Sequence, residues 1–383
     1  MAAQRLGVIL NGITGRIGVN QHLRWAIGPI IAEGGVGLAD GSRVELDPVL
    51  VGRDEDKLAA VARRFDIARW TTDLDAALGD PADTVFFDAT TTDRRVANVR
   101  KALAAGKHVY VEKPTATNAE EAVALYRAAR DAGVRHGVVQ NYLWLPGFLK
   151  LRRLIESGFF GRVLAIRIDF GYWIFEGDWQ RGQRPSWNYR KEHGGGIVLD
   201  LMPHWRYVLE TLFGPVESVS CLALNQIAER RDEQGRRYRA TADDAAFATL
   251  LLAGGVVVQV SNSWCTRIRR DDLSVFQVDG THGSAVVGLY DCLIQPRAAT
   301  PAPVFNPDPA NRPHFFADWR PVPDNQAFES AFKVQWQLFV RHVVEGAPFP
   351  HDLRAGAKGV QLAELAYRSS AERRWIDVPE IPE

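Results

Sequence analysis

Short apolar runs and helical periods alternate through the first third of the chain. Leu6 to Leu10 is an apolar run ending at a glycine-rich turn, and Pro48 to Val51, Val85 to Phe87 and His108 to Val111 are three more. Between them lie stretches with helical spacing, such as Glu55 to Arg64 and Arg95 to Ala105. A further helix is predicted over Ala119 to Ala132, stopped by Gly133, and Val134 to Val139 supplies another strand. Strands alternating with helices predict an α/β unit with a doubly wound parallel sheet.

After about residue 145 the period shortens to two. From Val163 to Phe170, Ile166, Ile168 and Phe170 fall on one face and Arg167 and Asp169 on the other. Phe247 to Leu252 and Val256 to Val260 flank Ala253-Gly254-Gly255 as a hairpin, and Val275 to Val278 with Ala285 to Val287 suggest a second pair. These predict an α+β unit with a large, mostly antiparallel open sheet. Residues 296 to 323 hold eight prolines and no sustained period, the pattern of an irregular surface segment. Helices are predicted from Gln326 to Val344 and from Ala357 to Glu372. The change of period divides the chain into residues 1–138 and 139–383, with the last helix free to pack back on the first unit.

Composition narrows the class. With 383 residues, 46% of them hydrophobic and 24% charged, this is an ordinary globular composition with room for two or three domains. Lys plus Arg equal Asp plus Glu at 46 each, so no net field favours nucleic acid or a membrane surface. Cys221, Cys265 and Cys292 are isolated, which argues against a disulfide scaffold. The first residues have no signal-peptide organisation, and no apolar stretch is long enough to span a bilayer, so the expected location is cytoplasmic.

The turn Gly12-Ile13-Thr14-Gly15-Arg16-Ile17-Gly18 follows the first strand and opens a helical segment. Backbone N–H groups there can approach a pyrophosphate, whose charge suits a helix N-terminus, so Gly12, Ile13, Thr14, Gly15, Arg16 and Ile17 are candidate cofactor contacts. A glycine-bearing turn without a ligand is the alternative. The second strand ends at Val51-Gly52-Arg53-Asp54. An acid at such a tip holds the ribose 2′-hydroxyl of NAD, whereas an Arg accommodates a 2′-phosphate, and Arg53 favours NADP over NAD. Asp54 can instead cap the next helix. Gly34 to Arg43 reads as an insertion in this first unit.

Lys113, in Glu112-Lys113-Pro114, follows the strand His108 to Val111 and so sits at a carboxyl end, where open α/β sheets place ligands. A Lys there can stabilise a developing alkoxide; a surface Lys before a turn proline is the alternative. Asp200 and His204, four residues apart after Gly194-Gly195-Gly196, share one face if the stretch is helical. His is the side chain suited to proton exchange near neutral pH, as alcohol oxidation requires. A capping Asp200 and a core His204 are the plainer readings. His193-Gly194-Gly195-Gly196 is similar to an esterase oxyanion loop, but the chain contains no GxSxG elbow. No His, Cys or Asp spacing fits a metal site.

Glu112-Lys113-Pro114 and the segment Gly194 to His204, a GGGxxxDxxxH pattern, together resemble the glucose-fructose oxidoreductase, inositol dehydrogenase and rhizopine catabolism family, Gfo/Idh/MocA. The strand near Val138 to Tyr142 and the Ala- and Ser-rich Leu362 to Ser370 fit the same family, so the resemblance covers nearly the whole chain. It implies an N-terminal Rossmann domain and a C-terminal domain whose open sheet forms a homodimer or homotetramer interface. By matching positions it implies Lys113, Asp200 and His204 as catalytic residues, and Glu112 and the Thr90-Thr91-Thr92 turn as cofactor contacts. It also implies a cis Lys113–Pro114 bond. The GxxGxxG turn and Thr92-Asp93-Arg94, where relatives often carry a His, depart from the family pattern.

Between the motifs, Tyr172 to Arg190 is rich in aromatic and arginine residues. Aromatic faces suit pyranose C–H faces and arginines grip anionic groups, so Trp173, Trp179, Arg184, Trp187 and Tyr189, with Tyr142 upstream, are candidate substrate contacts. A Trp- and Arg-rich interdomain or subunit contact is the other reading. The expected function is NAD(P)-dependent hydride transfer between nicotinamide and a ring carbinol of a sugar, glycoside or cyclitol. The alternatives are a redox glycosidase with tightly held NAD, in which oxidation permits elimination before the hydride returns, and a noncatalytic cofactor-binding regulator.

Overall fold

The computed structural model describes residues 4–302 and 314–382, built around two large sheets. The first contains β1 (Gln4–Asn11), β2 (Val36–Gly37), β3 (Arg43–Val51), β4 (Arg69–Thr71), β5 (Asp83–Asp88), β6 (His108–Val111) and β7 (His136–Val138). Its order is β2-β3-β1-β5-β6-β7, with β4 also on β3, and every pairing is parallel except β2 with β3. The central strands β1, β5 and β6 carry apolar runs because both faces of the sheet are covered there. Ile9 and Phe86 enter one core, and Val8, Leu10 and Phe87 the other.

A π-helix over Gly18–Ile27 continues into α1 (Gly28–Ala32), followed by α2 (Glu55–Phe65), α3 (Leu74–Gly79), α4 (Thr92–Ala104) and α5 (Ala119–Asp131). Asp54, Asp73 and Asn118 cap α2, α3 and α5 by accepting backbone N–H groups. The second strand starts at Arg43 rather than Pro48, because the insertion folds into a β2–β3 hairpin. Arg43 fastens it by donating to the Gly34 and Gly35 carbonyls.

The second sheet follows α6 (Pro146–Glu156). It uses β8 (Val163–Gly171), β9 (Val216–Leu224), β12 (Ala245–Leu252), β13 (Val257–Ser263), β14 (Ser274–Gly280), β15 (Gly283–Val287), β16 (Cys292–Pro296), β17 (Arg320–Pro321) and β18 (Ile376–Asp377); β10 (Glu229–Arg231) and β11 (Arg237–Arg239) form a separate hairpin. The order is β17-β16-β15-β14-β8-β13-β12-β9-β18, antiparallel except for β8 with β13. The alternation in β8 sends Ile166, Ile168 and Phe170 into the core against α7 (Ile197–Leu212). Phe247, Leu222 and Val257 remain exposed on the sheet.

The last two helices are α8 (Ala331–Glu345) and α9 (Leu353–Glu372). The first begins five residues later than its spacing predicts, and Phe328 in the lead-in lies with its ring centroid 5.8 Å from the Lys150 ammonium. The second begins four residues earlier than predicted, because the Asp352 carboxylate caps it by accepting from Ala355 N at 2.7 Å. Trp336 and Phe339 of α8 pack on Phe87 and Tyr110 of the first sheet, and α9 packs against both α5 and α7. Of the proline-rich stretch, residues 303–313 lie outside the described residues; its described flanks hold a short turn at Arg297–Ala299 and β17.

Candidate active site

A cleft of about 440 Å³ opens where the carboxyl ends of β1, β5 and β6 meet the N-terminal turns of α7. This is the end of a parallel sheet at which ligands bind. Lys113, Asp200 and His204 all line it.

The helical period brings Asp200 and His204 to one side of α7, as their spacing predicts. Asp200 caps nothing. Its Oδ1 accepts from Lys113 Nζ at 2.5 Å and its Oδ2 from Arg184 Nη1 at 3.1 Å, while Lys113 Nζ also donates to the Asp200 carbonyl at 2.9 Å. Burial works against its charge, but Lys113 and Arg184 together outweigh it and hold the carboxyl far below the usual range. His204 is buried, and burial followed by the Lys113 charge pushes its pKa well down, with Asp200 opposing. The imidazole is therefore neutral near pH 7 and able to take a proton. Its Nδ1 lies 2.7 Å from Tyr207 Oη.

Helix α7 is anchored from outside its own segment. Ile197 N donates to the Asp243 carbonyl and Val198 N to Asp243 Oδ2 at 2.8 Å, while Tyr367 Oη donates to Oδ1 at 2.7 Å. Gly196 has φ +118°, and a Cβ there would lie 2.4 Å from Asp243 Oδ1. At this glycine the close approach is thus to a capping side chain rather than to a ligand.

The other end of the cleft has the features of a dinucleotide site. Gly12 has φ +74°, and a Cβ on it would meet Thr90 N at 2.7 Å, so the turn needs glycine to pass over β5. Gly15, Arg16 and Ile17 line the cleft, and the π-helix they introduce has no side-chain cap and no acid in its first turn. Its first N–H groups suit a pyrophosphate. Thr90 and Thr91 line the same region; Thr90 N and Oγ1 donate to Asp88, which also accepts from Asn11, Arg95 and Asn98. Glu112 lines the cleft with one oxygen already engaged. Trp336 Nε1 donates to His22 Nδ1, which leaves His22 Nε2–H to donate to Glu112 Oε1 at 2.7 Å. Burial opposes the Glu112 charge, yet the His22 bond, backed by Lys113 and Arg95, keeps its pKa below the usual value. Lys113–Pro114 is cis.

Not every candidate reaches the cleft. Ile13 is wholly in the core, while Thr14 packs near Gly52. Arg53 is exposed beyond β3, and Asp54 caps α2 through Lys57 N and pairs with Lys57 Nζ. Tyr142, Arg184 and Trp187 line the cleft, whereas Trp173, Trp179 and Tyr189 do not. Trp173 lies under Arg267 at 4.0 Å, Tyr189 is buried beneath Arg230 at 3.8 Å, and Trp179 is 62% exposed against Phe175. Their rings pair with protein cations or with other aromatic rings, Trp179 with Phe175 and Tyr189 with Trp264. Residues missed in the sequence include Tyr172, His22, Asp88, Asp243 and Tyr207. Tyr172 lay in the aromatic-rich segment already singled out, and Tyr207 had a local signal in its position three residues after His204 on the same helix; the other three had none.

Residues 37–140 match the family described as "Oxidoreductase family, NAD-binding Rossmann fold", and residues 148–286 match "GFO/IDH/MocA C-terminal domain". The chain is 51% identical to D-xylose dehydrogenase of Paenarthrobacter nicotinovorans over 98% of its own length and 97% of the relative's. It is 26% identical to levoglucosan dehydrogenase of Pseudarthrobacter phenanthrenivorans, over 87% and 90% of the two chains. A solved structure of levoglucosan dehydrogenase in complex with NADH and L-sorbose has the same fold, with TM-score 0.82 and 24% identity over 99% of this chain and 100% of that one.

Proposed function

The chain belongs to the Gfo/Idh/MocA family of oxidoreductases and is an NAD(P)-dependent sugar dehydrogenase, and from that premise we propose that it oxidises a ring carbinol of an aldopentose such as D-xylose. The observation that carries the reading is the junction at Asp200, where Lys113 and Arg184 converge on one carboxylate one helical turn before His204.

In this proposal His204 Nε2 takes the carbinol proton; burial and the Lys113 charge keep the ring unprotonated and so free to accept it. Lys113 donates to the oxygen as negative charge develops there. Asp200 holds Lys113 in place, and Arg184 holds Asp200 from the opposite side. Nicotinamide, when bound, supplies the hydride acceptor. Gly12, Gly15, Arg16, Ile17, Thr90, Thr91 and Glu112 would hold the dinucleotide, and Tyr142, Arg184 and Trp187 would border the sugar. We read the cofactor as NADP, because Asp54 is engaged at the α2 cap and Arg53 is exposed beside it, where a 2′-phosphate would sit. Residues 1–138 would form the cofactor unit and 139–383 the substrate unit. The exposed Phe247 and Leu222, directly opposite each other in β12 and β9, support a homodimer or homotetramer through the open sheet. Among the described residues no helix is long and apolar enough to cross a membrane. The named relatives reported above are dehydrogenases, and no observation favours the redox glycosidase alternative.

The test is nicotinamide absorbance with purified protein, NAD or NADP, and a panel of aldopentoses, anhydrosugars and inositols. Turnover with an aldopentose, faster with NADP, is expected. Cofactor reduction by none of the panel would overturn the reading; a preference for NAD unaffected by Arg53→Ala would overturn only the cofactor assignment.

A further inference from the structure

His204 has two ring nitrogens and only one of them faces the cleft unpartnered. Nδ1 is held by Tyr207 Oη at 2.7 Å, and among the described residues Nε2 has no protein hydrogen-bond partner. Tyr207 is buried, its ring packed edge-on to the His204 ring, and its oxygen also accepts from Tyr142 N at 3.2 Å. A phenol oxygen has two lone pairs and one hydrogen. With Tyr142 N–H on one lone pair, a single further acceptor position remains.

We propose that Tyr207 is the positioning residue that sets the tautomer of His204, its Oη accepting from Nδ1–H so that the Nε2 lone pair faces the sugar hydroxyl. The inference rests on the proposed role of His204 as the base. The 2.7 Å contact fits either direction, and the role of His204 as base selects this one, because a ring with hydrogen on Nε2 cannot take the carbinol proton. Lys113 and His204 both line the cleft and the Lys113 charge acts on the ring, which favours the tautomer whose lone pair is on the cleft side. In this arrangement the phenol hydrogen has no protein acceptor among the described residues, and it would be met by water, since Tyr207 borders a groove behind α7 with Gln140, Glu210 and Asp352. When Nε2 takes the carbinol proton, both ring nitrogens carry hydrogen and the Nδ1–H···Oη bond becomes charge-assisted, roughly twice as strong as a neutral one. No further proton need move: the sugar O–H bond breaks, the Nε2–H bond forms, and the carbonyl forms as the hydride leaves carbon. Without Oη, neutral His204 is free to carry its hydrogen on Nε2, which blocks the base. The same loss of tautomer control is known to cripple histidine bases whose Nδ1 acceptor is removed.

The groups facing His204 are Lys113 after β6, Asp200 on its own helix, Tyr142 before α6 and Tyr207; Glu112 and Tyr110 face Tyr207 from the first sheet. None of the others meets Nδ1 in a hydrogen bond, so the effect of the phenol oxygen is separable.

The test compares Tyr207→Phe with His204→Asn in the intact enzyme. Tyr207→Phe is expected to lower kcat for sugar oxidation about tenfold to a hundredfold, a fraction of the roughly 10²–10⁴ that acid–base catalysis supplies, with KM and cofactor affinity within about twofold. Because the imidazolium loses its acceptor, the acid limb of the kcat profile should move to lower pH. A purely structural Tyr207 would lower the yield of folded enzyme and leave that limb in place. Wild-type kcat and pH profile in Tyr207→Phe, with His204→Asn inactive, would overturn the inference and leave the base assignment standing. Full activity in His204→Asn would instead overturn the base assignment. Independently of any variant's folding, ¹⁵N–¹H correlation spectra of histidine-labelled wild-type enzyme should show neutral His204 protonated on Nδ1; protonation on Nε2 would overturn the proposal.

Discussion

The cluster around Asp200 and the segment from Tyr172 to Arg190 both border the cleft, and both are dense in charge, yet their side chains are used differently. At Asp200, groups from three places converge: Lys113 from the end of β6, Arg184 from the loop, and His204 from the same helix face. All three line the cleft. In the segment and its surroundings, cations cover rings instead, Arg230 over Tyr189, Arg267 over Trp173 and Arg190 over Tyr238. Only Arg184 and Trp187 of the candidates there reach the cleft, and Arg184 does so through Asp200 while stacked 4.3 Å over Trp264. Richness in Trp and Arg is thus a poor guide to a sugar site; convergence of separate elements on one ionised group is a better one.

If this contrast holds, changes in the cluster alter turnover and changes in the segment alter stability. The largest expected effect is that of Asp200→Asn, which removes the shared counter-charge of Lys113 and Arg184; kcat should fall about 10³–10⁴-fold with cofactor affinity retained. Next is Arg230→Met, which leaves Asp244 buried without its partner. It should cost about 3–5 kcal/mol of folding stability in denaturant titration, with kcat per folded molecule unchanged.

A change of similar size is expected from pH alone. Burial, with Arg152 adding to it, holds His351 at about 4, so between pH 6.5 and 4 the unfolded chain binds a proton that the folded protein does not. Stability should fall as pH drops through that window, by up to about 3 kcal/mol, and His351→Phe should flatten this part of the curve. Arg184→Met should lower kcat/KM about tenfold to a hundredfold by loosening Asp200. Trp179→Ala should stay within about twofold of wild type; a loss equal to that of Arg184→Met would erase the distinction between the two regions.

Much of this architecture is legible in the chain. Unbroken apolar runs mark the parallel strands, period-two alternation marks β8, and the spacing of Asp200 and His204 places both on one face of α7. What is not legible depends on long-range contact. His22 reaches Glu112 across 90 residues, and Asp243 caps α7 from 45 residues away. No local period announces either. The direction of the rings between Tyr172 and Arg190 was equally hidden, since composition says that a ring is present and not which cation will cover it. Tyr207 lies between these cases, readable as a helix neighbour of His204 yet easily taken for another apolar core position.

Hydride transfer from a sugar carbinol at the convergence on Asp200 is probed most directly through Lys113. Nicotinamide reduction at saturating aldopentose should be measured for wild type and Lys113→Met, with cofactor affinity determined on the same preparations. The expected result is a loss in kcat of about a thousandfold, with cofactor affinity within about twofold of wild type. A Lys113→Met enzyme that binds cofactor normally and turns over the sugar at the wild-type rate would contradict it.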